Sequence, residues 1–134
     1  MWNNNHSLAV AQEAKKRFPQ SAIVVGGSSA VKEPGVVEPF LEENKYIDFI
    51  CVEEGEQVFL DVCRNLVNGK NFQGIEGLIY RDPLGRVLIT NPAKPLPMED
   101  FPSPYLDGTF DALFEKFRAE ISGTIIETNR GCPF

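Results

Sequence analysis

The apolar positions of this chain fall in short runs separated by glycine, proline and acidic clusters, and the runs switch between helical and strand periodicity. After a polar start at residues 2–6, Leu8, Ala11, Ala14 or Lys15, and Phe18 fall at helical spacing. Ser7 is the expected N-cap of that helix and Pro19 its stop. Ala22-Ile23-Val24-Val25-Gly26 is an uninterrupted apolar run rich in β-branched residues, the pattern of a buried parallel strand. It ends in Gly26-Gly27-Ser28-Ser29. Pro34 opens a short helix carrying Val36, Val37, Phe40 and Leu41, with Pro39 expected near its start or at a kink. Ile47-Asp48-Phe49-Ile50-Cys51-Val52 predicts a second buried strand. The acidic turn Glu53-Glu54-Gly55-Glu56 then leads into a helix with an inward face of Val58, Phe59, Val62, Cys63 and Leu66, stopped by Gly69 in the left-handed conformation.

From Gly74 the pattern changes. Residues 77–81 and 86–90 flank Asp82-Pro83-Leu84-Gly85, a turn signal with proline second and glycine fourth, which predicts an antiparallel hairpin added to a parallel sheet. Pro92, Pro95, Pro97, Pro102 and Pro104 make the next stretch extended. Phe110, Leu113, Phe114 and Phe117 mark a short amphipathic helix, and residues 123–128 one last strand before Asn129-Arg130-Gly131-Cys132-Pro133-Phe134. The expected organisation is an α/β domain over residues 1–73, a hairpin extension over 74–91, a Pro-rich linker and short helix over 92–122, and a terminal strand over 123–134.

A length of 134 residues, with 43% hydrophobic and 24% charged residues, is that of one globular domain with a sizeable core. The net charge of −6 arises mainly between Glu33 and Asp61, and Lys15-Lys16-Arg17 is too short a basic run to neutralise a phosphate backbone, so nucleic acid is excluded as a partner. Three cysteines without clustered spacing argue against a disulfide framework and for a reducing, cytoplasmic setting. Neither a membrane span nor a signal peptide is read in the sequence. Cys51 and Cys63 read as small buried hydrophobes, His6 as a solvated loop residue, and Glu54 and Glu56 at least partly as complements to a helix dipole.

The chemistry concentrates where strands end. A glycine pair after a parallel strand is often no more than a turn, but ligands of open α/β sheets bind beyond the carboxyl ends of their strands. The order Gly26-Gly27-Ser28-Ser29 lacks the G-x-G-x-x-G spacing of a dinucleotide site.

Glu127-Thr128-Asn129-Arg130-Gly131-Cys132-Pro133-Phe134 resembles the entry to the barrel of radical S-adenosylmethionine enzymes, where a glycine and the first cysteine of C-x-x-x-C-x-x-C follow the first strand. Upstream, Trp2-Asn3, the first helix, Gly26-Gly27, the strand at Ile47-Asp48-Phe49-Ile50 and Glu53-Glu54-Gly55-Glu56 resemble the second half of the cobalamin-binding domain that precedes the barrel in one large class of these enzymes. That class usually has Gly-Glu-Gly-Glu at the last turn, and Glu53 stands here in place of the first glycine. The resemblance implies a partial flavodoxin-like, or Rossmann-like, sheet whose glycine pair admits the cobalamin nucleotide tail. On that resemblance, Gly26 and Gly27 approach the tail, Ser28 or Ser29 hydrogen-bonds it, and Trp2, Asn3, Glu54, Gly55 and Glu56 line the same crevice. Cys132 would be one thiolate ligand of a four-iron, four-sulfur (4Fe-4S) cluster that binds S-adenosylmethionine in the parent enzyme, and it is the only one of the three motif cysteines present. The Asp-x-His-x-x-Gly motif of related domains is missing, and His6 does not occupy its place.

The resemblance thus implies a piece of a larger enzyme that does radical chemistry, methyl transfer through cobalt being one form of it, with this piece inactive alone and binding cobalamin weakly. Its partners would be the rest of that enzyme and, through the edge of the glycine-ended strand, a second copy of itself. Two alternatives stand beside this reading: a non-catalytic α/β module binding a nucleotide or a partner, and a structural piece without a ligand.

Overall fold

The computed structural model describes residues 4–27, 30 and 32–126. It divides into two compact units, residues 1–94 and 95–134. In chain order the first contains α1 (Asn4–Arg17), β1 (Val24–Gly26), α2 (Pro34–Glu43), β2 (Phe49–Cys51), α3 (Gly55–Asn68), β3 (Leu78–Arg81) and β4 (Val87–Ile89).

Four short strands make one sheet in the order β1-β2-β3-β4. β1 and β2 are parallel, with Val24 opposite Phe49 and Gly26 opposite Cys51. β2 and β3 are antiparallel, as are β3 and β4. The hairpin is therefore bonded into the sheet through β2, and β3 is a central strand whose Leu78, Ile79 and Tyr80 are buried. The α/β class read from the sequence holds, with two of the three strand pairings antiparallel, so that the hairpin is part of the sheet rather than its fringe.

The period-two alternation of strand side chains sorts the core onto two faces. On one face Phe49, Cys51, Leu78 and Tyr80 pack with Val58 and Val62 of α3. On the other, Ile50, Val52 and Ile79 pack with Val37 and Leu41 of α2, together with Ile47. Each helix presents a stripe spaced by four residues, which is what one face of an α-helix offers.

Several expectations shift in detail. The first helix begins by Asn4, ahead of the expected cap at Ser7, and carries no buried residue. Its Leu8 is only partly buried against the α2 face, and Phe18 is 65% exposed. A polar tie holds it instead: Lys15 Nζ lies 2.8 Å from Asp48 Oδ2 and donates to the Ser21 carbonyl at 2.7 Å. Asp48 Oδ2 also accepts from the Ile23 amide at 2.7 Å, so one carboxylate joins α1, the approach to β1 and the approach to β2. β1 is half-buried rather than buried, because it is an edge strand. Pro39 lies well inside α2, and Val36 points outward. On α3, Phe59 and Leu66 are exposed to 51% and 43%, since strands of three or four residues give a helix of 14 only a narrow surface to cover. Gly69 ends α3 at φ 63°, the left-handed stop expected of it.

The hairpin turn closes as its sequence predicts. The Gly85 amide donates to the Asp82 carbonyl at 2.9 Å. The Asp82 carboxylate accepts from the Leu84 and Arg86 amides and pairs with the Arg86 guanidinium at 2.6 Å. Arg81 donates to the Leu41 carbonyl, fastening α2 over β3.

The second unit carries a 3-10 turn at Met98–Asp100 and the helix α4 (Asp111–Lys116). Tyr105, Phe110 and Phe114 form an aromatic cluster with centroids 5.2–6.0 Å apart. The Tyr105 hydroxyl donates to the Ile125 carbonyl at 3.0 Å and contacts the Thr124 hydroxyl. Residues 123–126 are not paired as a strand, and Ile125 and Ile126 are exposed, because no neighbouring strand meets them among the described residues. The rest of that expected strand, residues 127 and 128, lies outside the described residues.

Candidate functional site

Because β1 and β2 are parallel neighbours, their carboxyl ends lie side by side, and the two turns that leave them stand at one end of the sheet in the first unit, where ligands of open α/β sheets bind. Gly26 and Gly27 close β1, while Glu54, Gly55 and Glu56 open α3 just after β2. The structure brings these five expected residues to the same end of the sheet. Trp2, Asn3, Ser28, Ser29 and Cys132 lie outside the described residues.

The two glycines have different physical jobs. A β-carbon on Gly26 would lie 3.0 Å from the Cys51 carbonyl oxygen and 3.5 Å from Cys51 Cβ, so Gly26 is required by the close approach of β1 to β2. Gly27 has φ 101°, and a β-carbon there would meet nothing within 4 Å. Space therefore opens beside Gly27, and backbone there is approachable. Gly55 also faces Cys51, at 3.4 Å from Cys51 Cβ, so a small residue in β2 is wedged between glycines of both turns.

Burial pushes the Cys51 thiol up to about 11, with the neighbouring Cys63 adding to the shift. At neutral pH Cys51 is thus a protonated, inert packing group, as expected from the sequence.

Glu53 was legible only as a departure from the family pattern. It occupies φ 61°, a left-handed conformation that a glycine takes without strain. Its carboxylate pairs with Lys32 at 2.8 Å, joining the turn after β1 to the turn after β2, and that hydrogen bond and charge raise the Lys32 pKa. Glu54 precedes α3 with extended backbone and no side-chain capping bond. Its Oε2 is buried without a hydrogen-bond partner among the described residues.

A cavity of about 730 Å³ lies at the opposite end of β2, lined by Phe72, Tyr80, Leu84 and Leu88 with Lys70 and Arg86. No pattern in the sequence signals it, since its walls come from the α3–β3 loop and the hairpin. Among the described residues no group of three or more His, Cys, Asp or Glu is arranged to hold a metal ion, and no helix is long and apolar enough to cross a membrane.

No family model matches the chain. It is 32% identical over 139 aligned positions to the cobalamin-dependent radical SAM methyltransferase TokK of Streptomyces tokunonensis, an alignment that takes in the whole of this chain and 20% of TokK. The chain is thus similar, along its whole length, to one segment of a cobalamin-dependent radical SAM methyltransferase. An uncharacterised methyltransferase of Pyrococcus horikoshii is 31% identical over 132 residues, 96% of this chain and 27% of that protein. Among solved structures, the cobalamin-dependent S-adenosylmethionine radical enzyme OxsB, determined with aqua-cobalamin and S-adenosylmethionine bound, shares the fold with a TM-score of 0.61 at 23% identity, over 87% of this chain and 16% of OxsB. The chain thus spans about a fifth to a quarter of the length of the curated relatives it matches.

Proposed function

We propose that this chain is a cobalamin-binding segment of a radical S-adenosylmethionine enzyme, and that the crevice between the β1 and β2 turns receives the nucleotide tail of the cofactor. The observation that supports this most is the match along the whole chain to a cobalamin-dependent relative, combined with an open glycine turn at the expected place. The residues present fit such a ligand: Gly27 leaves room for backbone approach, and Glu54 offers a buried acceptor that the fold leaves unpaired.

Cobalamin, when bound, supplies a cobalt centre suited to carrying a methyl group, and the protein's part is binding and orientation. Gly26 sets the spacing of the two strands, Gly27 and Gly55 keep the turns low, and the Lys32–Glu53 pair holds the turns together. Ser28 or Ser29 would hydrogen-bond the tail, and Trp2, Asn3 and Glu56 would line the crevice. Cys132 would contribute one thiolate to an iron-sulfur cluster that needs three, so catalysis belongs to a larger enzyme and this chain alone is inactive.

Titration with hydroxocobalamin, followed by visible absorbance, tests the reading. Saturable but weak binding, lost in Gly27→Val, is the expected result. Absence of binding, or tight binding untouched by Gly27→Val, overturns it.

A further inference from the structure

The cavity at the far end of β2 is built from parts that the cobalamin reading does not use. Gly69 ends α3 in the left-handed conformation and turns the chain, so that residues 70–73 form one wall. The Asn65 side chain steadies that wall by donating to the Asn71 carbonyl at 2.6 Å. The hairpin forms the other wall, and its turn is held by the Asp82 carboxylate, which accepts from the Leu84 and Arg86 amides. Both walls are thus set by the fold itself, and about 730 Å³ is a volume in which small molecules bind.

The lining is apolar, with two donors left over. The Phe72 and Tyr80 rings have centroids 5.7 Å apart and are inclined at 59°, so they offer a ring face beside a ring edge, a seat for one aromatic group rather than a parallel slot for a stacked base. Tyr80 is only 5% exposed, and its hydroxyl makes no hydrogen bond among the described residues. Burial, with the Asp82 carboxylate adding to it, pushes the Tyr80 phenol up, so it stays a proton donor at neutral pH. A donor so placed gains from a ligand that brings an acceptor.

Charge narrows the class. Among the described residues that line the cavity, Lys70, Arg81 and Arg86 stand against Asp82 alone, in a chain whose net charge is −6. Arg81 is engaged with the Leu41 carbonyl and Arg86 with Asp82. The Lys70 ammonium has no side-chain partner among the described residues. One unused cation suits a single negative charge, and the two unused donors match the two oxygens of a carboxylate.

We propose that this cavity binds a small aromatic monocarboxylate, its ring against Phe72, Tyr80 and Leu88 and its carboxylate received by the Lys70 ammonium and the Tyr80 hydroxyl. The site lies at the opposite end of β2 from the glycine turns, and it stands whether or not cobalamin binds there.

The test is an NMR titration of the isotope-labelled 134-residue chain with phenylacetate and, separately, with its neutral analogue phenylacetamide. Phenylacetate is expected to bind saturably with a dissociation constant on the order of 1 mM, and phenylacetamide about tenfold more weakly. The shifting amides should be those around Asn71, Phe72, Leu84 and Arg86. Tyr80→Phe removes only the hydroxyl and should weaken phenylacetate about threefold to tenfold. Lys70→Met keeps the stem without the charge, and should bring the acid and the amide to nearly equal affinity. Lys70 is exposed, so this variant carries the test if Tyr80→Phe does not fold. Absence of saturable binding, equal wild-type affinities for acid and amide, or shifts centred elsewhere on the chain overturns the site. A preference for the acid that is undiminished in Lys70→Met overturns the assigned carboxylate contact, and the proposal with it.

Discussion

Gly26 and Cys51 face each other across the parallel pair so closely that a β-carbon on Gly26 would stand 3.0 Å from the Cys51 carbonyl oxygen. Gly26→Ala must push a backbone atom, not a flexible side-chain tip, and should cost about 1–3 kcal/mol of stability. Gly27→Ala meets no neighbour but is forced to φ 101°, which should cost a similar ~1–3 kcal/mol through strain. Urea unfolding of both variants checks this; wild-type stability in Gly26→Ala would show that β1 and β2 are not so closely apposed.

Glu53 holds a left-handed conformation with an exposed ion pair as its described side-chain partner. The conformation costs roughly 1–2 kcal/mol for a residue with a β-carbon, and an exposed pair returns about 0–1 kcal/mol. Glu53→Gly is therefore expected to stabilise the chain slightly. The gain should be larger in high salt, where the pair lost from the wild type is already screened. Thermal unfolding at two salt concentrations reads it directly.

Asp82 links stability to acid. Partial burial opposes its ionisation, but hydrogen bonds from the Arg86 amide and guanidinium and the Leu84 amide prevail, and hold its pKa below the ordinary carboxylate value. A carboxyl depressed on folding contributes stability that is fully present above the unfolded value and is lost as pH falls through the folded one. The hairpin contribution should thus be intact at pH 5 and fade below about pH 4, and Asp82→Asn should flatten that part of the profile. Unfolding midpoints from pH 2 to 6 for both proteins provide the check.

The outer edge of β1 has no partner strand among the described residues, and Val24 and Val25 are only half-buried there. Such an edge is a template for another chain. A concentration-dependent dimer in sedimentation equilibrium is the expected outcome, accompanied by slowed amide exchange at Val24 and Val25. A monomer at all concentrations would show that the edge is covered from within.

Where the sequence was legible, a local rule sufficed. Gly69 stops α3, Pro83 and Gly85 shape the hairpin turn, and the β-branched run leads to the glycine pair. Where it was not, the answer depended on partners distant along the chain. Asp48 read as one more acid in an acidic stretch, yet it meets Lys15, 33 residues away, and the Ile23 amide. Phe59 and Leu66 fit a helical stripe, but the sheet beneath α3 is too small to bury them. In the crevice, composition marked the turns after β1 and β2. It did not show that Gly26 serves strand packing while Gly27 leaves open space.

The alternation of β2 and β3 side chains places Val62 of α3 and Val37 of α2 in separate clusters on opposite faces of one sheet. The sheet backbone is then a partition between two thermodynamic compartments. Truncating either valine to alanine opens a void that its own helix must absorb, at about 2 kcal/mol each. Because the voids share no wall of side chains, the double variant should lose the sum of the two within about 0.5 kcal/mol. Non-additivity beyond that would mean that the partition bends and that one half-core registers what happens in the other.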